Sequence, residues 1–289
     1  MIDYYIAPPE MISEPRLEML VTLEIKDASG AVVRRYSIQD LAPTPDPTLN
    51  IPPYWIRPPQ KLGGAPGMHR FLWDMHYAPV PGLQPQYPIA AIYRNTAPAA
   101  TSPWAMPGKY TVVLTVGARS YEQPLTLRMD PRVKTSNADL AEQFKLSKQL
   151  YDEWLELNSI SESVKKIQGQ IAELQRRPQS GDLKTHVTAF GEKLQAFAVA
   201  AAATPGVAAA PGRLNLATTT GRVRTLFNLI EDVDLAPTPQ ATAASSEVVK
   251  ESRALQETWQ LLKTQDIAAL NVELRAAGLP VLDFSTKPR

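Results

Sequence analysis

In the amino-terminal part of the chain, apolar and polar residues alternate in short runs with a period of two. Positions 20–25 alternate, meet Asp27-Ala28-Ser29-Gly30, and resume as Val32-Val33-Arg34-Arg35-Tyr36-Ser37. Period two on both sides of a glycine-containing turn predicts a β-hairpin. A further strand is predicted over 68–77, with Phe71, Trp73 and Met75 on one face and Arg70, Leu72, Asp74 and His76 on the other. From Gly108 the chain reads Lys-Tyr-Thr-Val-Val-Leu-Thr-Val, turns at Gly117 and runs back to Leu127, predicting a second hairpin.

After Arg132 the period changes to that of a helix. Ser136 and Asp139 have the spacing of a capping box, in which each satisfies a free donor of the first turn. Leu140, Phe144, Tyr151, Trp154, Ile160, Val164, Ile167, Ile171 and Leu174 then form an apolar stripe that slips register around Asn158. Glu162 with Lys166, and Glu173 with Arg177, have the favourable i,i+4 order. Pro178 and Gly181 break the pattern. A second helix carries Leu183, Val187, Phe190, Leu194 and Phe197; a third covers 219–233, with Val223, Leu226, Phe227 and Ile230 inward. Thr238-Pro239 predicts the start of a fourth helix, running through Val248, Leu255, Trp259, Leu262, Ile267, Leu270 and Leu274 until Gly278 and Pro280 stop it.

The pattern thus predicts an α+β protein. An antiparallel Ig-like β-sandwich would occupy 1–132, and an antiparallel helical bundle or hairpin of about four helices would occupy 133–289. A coiled-coil homodimer through the helices is the rival arrangement; linkers able to reverse the chain favour the bundle.

Composition narrows the function. Among 289 residues there is no cysteine, which excludes disulfides and thiolate metal sites. A net charge of +1 with 20% charged residues gives no electrostatic case for nucleic acid. No apolar run is long enough to span a membrane, and positions 1–20 contain no signal-peptide pattern. The expected location follows from the start of the chain: cytoplasmic if Met1 is the true start, secreted or periplasmic if the chain belongs to a larger exported one. Proline is over-used, 27 residues gathered mainly in 42–66 and 79–107, which predicts two long loops.

Catalytic chemistry is hard to find. His69 and His76 have opposite parity on one predicted strand, so without a bulge they cannot share a metal there; Asp74 and His76 offer two ligands where three or four are needed. Asp74 is expected to pair with Arg70, and His186 to be solvated near a helix start. Gly63-Gly64 is no phosphate loop, and no G-x-S-x-G occurs. Asp40, Asp46 and Asp74 are the carboxylates available for a glycosidase, without a visible facing pair. No cofactor is expected. The two proline loops are more suggestive. Tyr54, Trp55 and Arg57 in the first, and Tyr87, Tyr93 and Trp104 in the second, combine rigid aromatics with arginine as recognition surfaces do. The same residues could instead seal the ends of the sandwich or its junction with the helices.

Four segments in order, Leu49-Asn50-Ile51-Pro52 with Tyr54-Trp55, Gly67-Met68-His69-Arg70-Phe71-Leu72-Trp73-Asp74, Pro107-Gly108-Lys109-Tyr110-Thr111-Val112 and Met129-Asp130-Pro131-Arg132-Val133, carry a resemblance. Together they resemble the C-terminal region of large bacterial BNR-repeat proteins related to sortilin-type propellers, often labelled glycosyl hydrolases. The resemblance implies an Ig-like domain and a helical tail that follow a β-propeller. The propeller's Asp-boxes, S-x-D-x-G-x-T-W, are absent, and His76 stands where that family suggests a basic residue such as arginine. No catalytic residue carries over. The expectation is a non-catalytic docking module for a β-propeller, in cis or in trans, or for another protein. A carbohydrate-binding module using exposed aromatics is the alternative, and a glycoside hydrolase ranks last.

Overall fold

The computed structural model describes residues 1–8, 20–41, 48–49, 51–89, 92–177, 181–199 and 214–284. Asp46, Asn50 and most of the alanine-rich stretch 197–210 lie outside them. The described chain is α+β, with two antiparallel sheets followed by helices. It divides into two compact units, 1–144 and 145–289. The strand-to-helix switch expected at 132/133 precedes the first helix, which begins at Asn137.

In the first unit, strands β1 (Ile2–Ile6), β2 (Val21–Lys26), β3 (Val32–Ser37), β4 (Gly67–Phe71), β5 (Gly108–Val116) and β6 (Arg119–Leu127) form two sheets. One has the order β3-β2-β5-β6; the other is the pair β1-β4. Both predicted hairpins are present. In the β2–β3 turn, the Asp27 carboxylate accepts from Ser29 N, Ser29 Oγ and Ala31 N, and Gly30 takes φ +85°. Between β5 and β6, Gly117 at φ 60° supplies the left-handed residue of a two-residue loop. Pro124 fits because β6 is an edge strand, where a missing donor breaks no ladder.

Residues of both sheets share their core. Tyr4 and Ile6 of β1, Val21 and Leu23 of β2, Phe71 of β4 and Val112 of β5 form one buried cluster with Leu62. Ile25, Val33, Trp73 and Tyr110 form a second. β1 is not among the strands that periodicity predicts. Its five residues show little alternation, and its partner lies more than sixty positions along the chain, with Ile2 opposite Phe71. The glycine pair has a packing role. Tyr4 Oη donates to Gly63 O (2.8 Å) and accepts from Gly63 N (2.9 Å), while the His69 ring stacks on Tyr4. A Cβ on Gly63 would sit 2.2 Å from His69 Nδ1.

The strand predicted over 68–77 is shorter than expected. β4 ends at Phe71, and Met75 takes φ 61° and is exposed, so the parity argument about His69 and His76 does not apply. Arg70 does not pair with Asp74. It grips Asp3 on the neighbouring strand, Nε to Oδ1 at 2.8 Å and Nη2 to Oδ2 at 2.9 Å, because strand register brings Asp3 opposite it.

Helix α1 (Asn137–Gln175) starts where the capping residues predict. Ser136 Oγ accepts from Asp139 N and donates to the Asp139 carboxylate. Its buried stripe does not slip at Asn158, because Leu157 and Ile160 are both buried and continue it. Lys165, rather than Lys166, pairs with Glu162; Lys166 reaches Asp283. Helices α2 (Gly181–Ala198), α3 (Leu216–Glu231) and α4 (Pro239–Leu261) follow. Thr238 caps α4 by accepting from Ala241 N. His186 is not merely solvated, since it meets Glu273 at 2.7 Å. In the second unit, Trp154 of α1 packs edge-on against Phe227 of α3, and Phe197 of α2 stacks on Trp259 of α4. The half-buried Glu153 carboxylate of α1 accepts from Ser252 and Gln256 of α4.

The fourth predicted helix is continuous but not uniform. A π-helical segment, Leu262–Ile267, joins α4 to α5 (Ala268–Ala276). Leu262 and Ile267 are both buried although five residues apart. Five α-helical residues would turn Ile267 about 140° away from Leu262. The wider π turn absorbs the extra residue and returns Ile267, Leu270 and Leu274 to the core.

Candidate functional site

The two proline-rich loops meet. In the first, a 3₁₀ turn, Pro53–Trp55, is followed by Ile56, whose backbone bridges Thr96. Arg57 N donates to Thr96 O (2.9 Å), Thr96 N to Trp55 O (2.9 Å), and Arg94 N to Tyr54 O (3.0 Å). Arg57 reinforces this clasp by donating from Nε to Asn95 Oδ1 at 3.0 Å. Thr96 is 2% exposed and donates its hydroxyl to Ile92 O, closing the turn that presents residues 92–95.

The second loop is folded back on itself. Tyr77 N donates to Pro103 O, Ser102 Oγ to Tyr77 O, Val80 N to Thr101 Oγ1, and Ala99 N to Gln86 O. In these rungs, proline-rich chain without regular structure satisfies some of its backbone groups. Arg94 holds φ 52° at the clasp, a left-handed conformation that disfavours a side chain and that the surrounding hydrogen bonds enforce.

Of the six residues singled out from the sequence, the structure brings together Tyr54, Trp55, Arg57 and Tyr93. Tyr54 is 60% exposed and Tyr93 70%, beside Ile92 at 50%. Trp55 is half-buried, with its ring perpendicular to that of Tyr54. Tyr87 is half-buried, and its burial raises its hydroxyl pKa. Trp104 makes a different contact, lying 3.8 Å from the His76 ring across an isolated antiparallel bridge. Sequence reasoning gave no role to Asn95, although a turn-forming asparagine next to Arg94 was the available signal.

His76 belongs to a small polar group under Trp104. Its Nδ1 donates to Asp74 O (2.9 Å), which leaves Nε2 as a buried lone pair without a hydrogen-bond partner. Burial lowers the imidazole pKa, against the opposing effects of the Asp74 carbonyl and charge. Nearby Arg34 covers the Tyr36 ring at 4.8 Å, and burial pushes the Tyr36 hydroxyl up to about 12. The His76 ring also contacts the Trp104 ring, with centroids 3.8 Å apart.

Among the described residues, no three histidine or carboxylate side chains converge as a metal site. An open depression of about 290 Å³ beside the β2–β3 turn is lined by Lys26, Asp27, Lys109, Tyr110 and Glu122. Its Asp27 is engaged in the turn, and the Ser29 hydroxyl bond lowers its pKa. Among the described helices, none is long and apolar enough to cross a membrane. Set against known protein families, curated proteins and solved structures, the chain matches none of them.

Proposed function

We propose that this chain is a non-catalytic docking module. Its contact surface is the loop clasp, centred on Tyr54, Ile92 and Tyr93 and edged by Arg57 and Arg94. One observation carries the reading: the clasp is locked by backbone hydrogen bonds while its large apolar side chains remain exposed. Burying each such side chain is worth about 1.5–3 kcal/mol, and only a partner that covers them would realise it. Rigid aromatics lose little entropy on binding, and aromatics together with arginine dominate many interfaces. In this reading the sheets form an Ig-like sandwich, the helices an antiparallel bundle, and the partner is a β-propeller or another folded protein.

The carbohydrate-binding alternative is less well supported, since the Tyr54 and Trp55 rings stand at 90° and offer a sugar no common stacking plane. A glycosidase needs a carboxyl with a raised pKa. Asp3, Asp27 and Asp130 all shift downward, held by Arg70, Ser29 and Arg132 respectively.

The test is site-specific photocrosslinking in cells. Benzoylphenylalanine at position 93 should capture one protein partner, and Arg57→Ala should reduce the yield. The same probe at exposed Tyr121 on β6 should not capture it. Equal capture at both positions, or none at position 93, would refute a docking role for the clasp.

A further inference from the structure

The segment after α5 is held in an unusual way. Gly278 at φ +67° and Pro280 end the helix, and the chain continues without regular structure to Phe284. Two side-chain amides then read its backbone. Asn271 of α5 accepts from Leu282 N (2.7 Å) and donates to Leu282 O (3.0 Å). Gln170 of α1 accepts from Asp283 N (2.9 Å) and donates to Asp283 O (3.0 Å). Each amide thus pairs with both polar backbone groups of one residue, as a neighbouring β-strand would.

Side chains add a pattern to this backbone grip. Leu282 is 2% exposed. Asp283 meets Lys166 at 2.8 Å, and Lys263 Nζ lies 5.6 Å from the centre of the Phe284 ring. Val281 and Phe284 are each 37% exposed, so only one side chain is fully embedded. The four backbone bonds impose no sequence, while the leucine, acid and aromatic supply selectivity.

We infer that this groove, built by Lys166, Gln170, Lys263 and Asn271, is a receptor for an extended peptide with an apolar-acidic-aromatic run, and that the chain's own 280–284 segment is its resident ligand. The site is separate from the loop clasp and does not depend on the function proposed for it. A tethered ligand competes at an effective concentration of roughly millimolar, so an external peptide enters only when the segment is displaced.

The full chain carrying Leu282→Asp and Asp283→Lys tests this. Those changes place a charge in the groove and a cation against Lys166, releasing the segment. Fluorescein-labelled Leu-Pro-Val-Leu-Asp-Phe, followed by anisotropy, should bind this variant saturably and bind the unaltered chain at least about tenfold more weakly. Adding Asn271→Ala should lower the affinity for the peptide about tenfold. No saturable binding to the folded variant, or binding indifferent to Asn271→Ala, would overturn the inference. If the variant loses its helical circular dichroism, hydrogen exchange on the unaltered chain decides. Leu282 and Asp283 amides exchanging about tenfold or more faster than the slowest α4 amides would support a separable ligand. Exchange only together with those amides would make the segment part of the core and overturn the inference.

Discussion

Replacing Gly63 by alanine isolates one contact whose energetics can be worked from the structure. The added Cβ would lie 2.2 Å from His69 Nδ1 and 2.6 Å from Cε1. Ordinary contact needs about 3.5 Å, so the ring or the Gly63 backbone must move by more than 1 Å. The ring is held by Nε2 against Ala65 O at 2.6 Å and by its stack on Tyr4, with centroids 5.0 Å apart. Losing that hydrogen bond costs about 0.5–1.5 kcal/mol and losing the stack a similar amount. Moving the Gly63 backbone instead would break both of its bonds to Tyr4 Oη, at about 1 kcal/mol each. Either route gives Gly63→Ala a cost of about 1–3 kcal/mol. Gly63 has no positive φ, so no backbone strain is added, and by either route the penalty originates in the clash with the His69 ring. His69→Ala alone forfeits the same stack and bond. The double variant should therefore be no less stable than His69→Ala, whereas independent effects would add to about 2–6 kcal/mol. The assay is a urea titration read from the Trp73 indole N–H, which donates to His76 O and reports on the first unit alone. Additive losses in the double variant would refute the steric explanation.

Three other outcomes are expected. Arg94→Gly relieves a left-handed residue while keeping its N–H bond to Tyr54, and should leave the first unit unchanged or up to about 1 kcal/mol more stable in the same titration. Phe227→Ala empties a fully buried site against Trp154 and should destabilise the second unit by about 3–5 kcal/mol, measured by loss of helical circular dichroism in urea. The two shifted histidines should give opposite pH responses. The Glu273 hydrogen bond raises the His186 pKa, so its stabilising effect is full below pH 6.5 and is lost as pH rises through the folded value. Glu273→Gln should bring the His186 NMR titration back toward 6.5. His76 is depressed by burial, so its neutral form favours the fold above pH 6.5 and that contribution is lost as pH falls through its folded value. His76→Phe should flatten the acid side of the first unit's stability curve.

The sequence makes local structure legible and long-range contact much less so. The hairpins around Asp27–Gly30 and Gly117, and the caps at Ser136 and Thr238, depend on residues within a few positions of one another. Their chemistry stands in a short window of sequence. Strand β1 is missed because its stability comes from β4, far along the chain, rather than from its own pattern. The same distance hides the exchange of partners in which Arg70 takes Asp3 and Lys166 takes Asp283. At the candidate site, composition alone marks Tyr54, Trp55, Arg57 and Tyr93, but not that two loops clasp through their backbones. Trp104 shares the composition and makes a different contact, because aromatic content carries no address. The spacing of Leu262 and Ile267 was a legible departure from helical period, and its remedy, a wider turn, was not.

That wider turn bears on how the helix could change in length. An unbroken α-helix allows no single-residue insertion or deletion, because every residue beyond it would rotate by about 100° and carry its apolar side to solvent. Leu262–Ile267 confines that rotation to six residues. Beyond it, Leu270 and Leu274 still face inward, and Asn271 still lines up with Leu282. The segment works as a phase adjuster, decoupling the count of residues in α4 from the angle at which α5 presents its side chains.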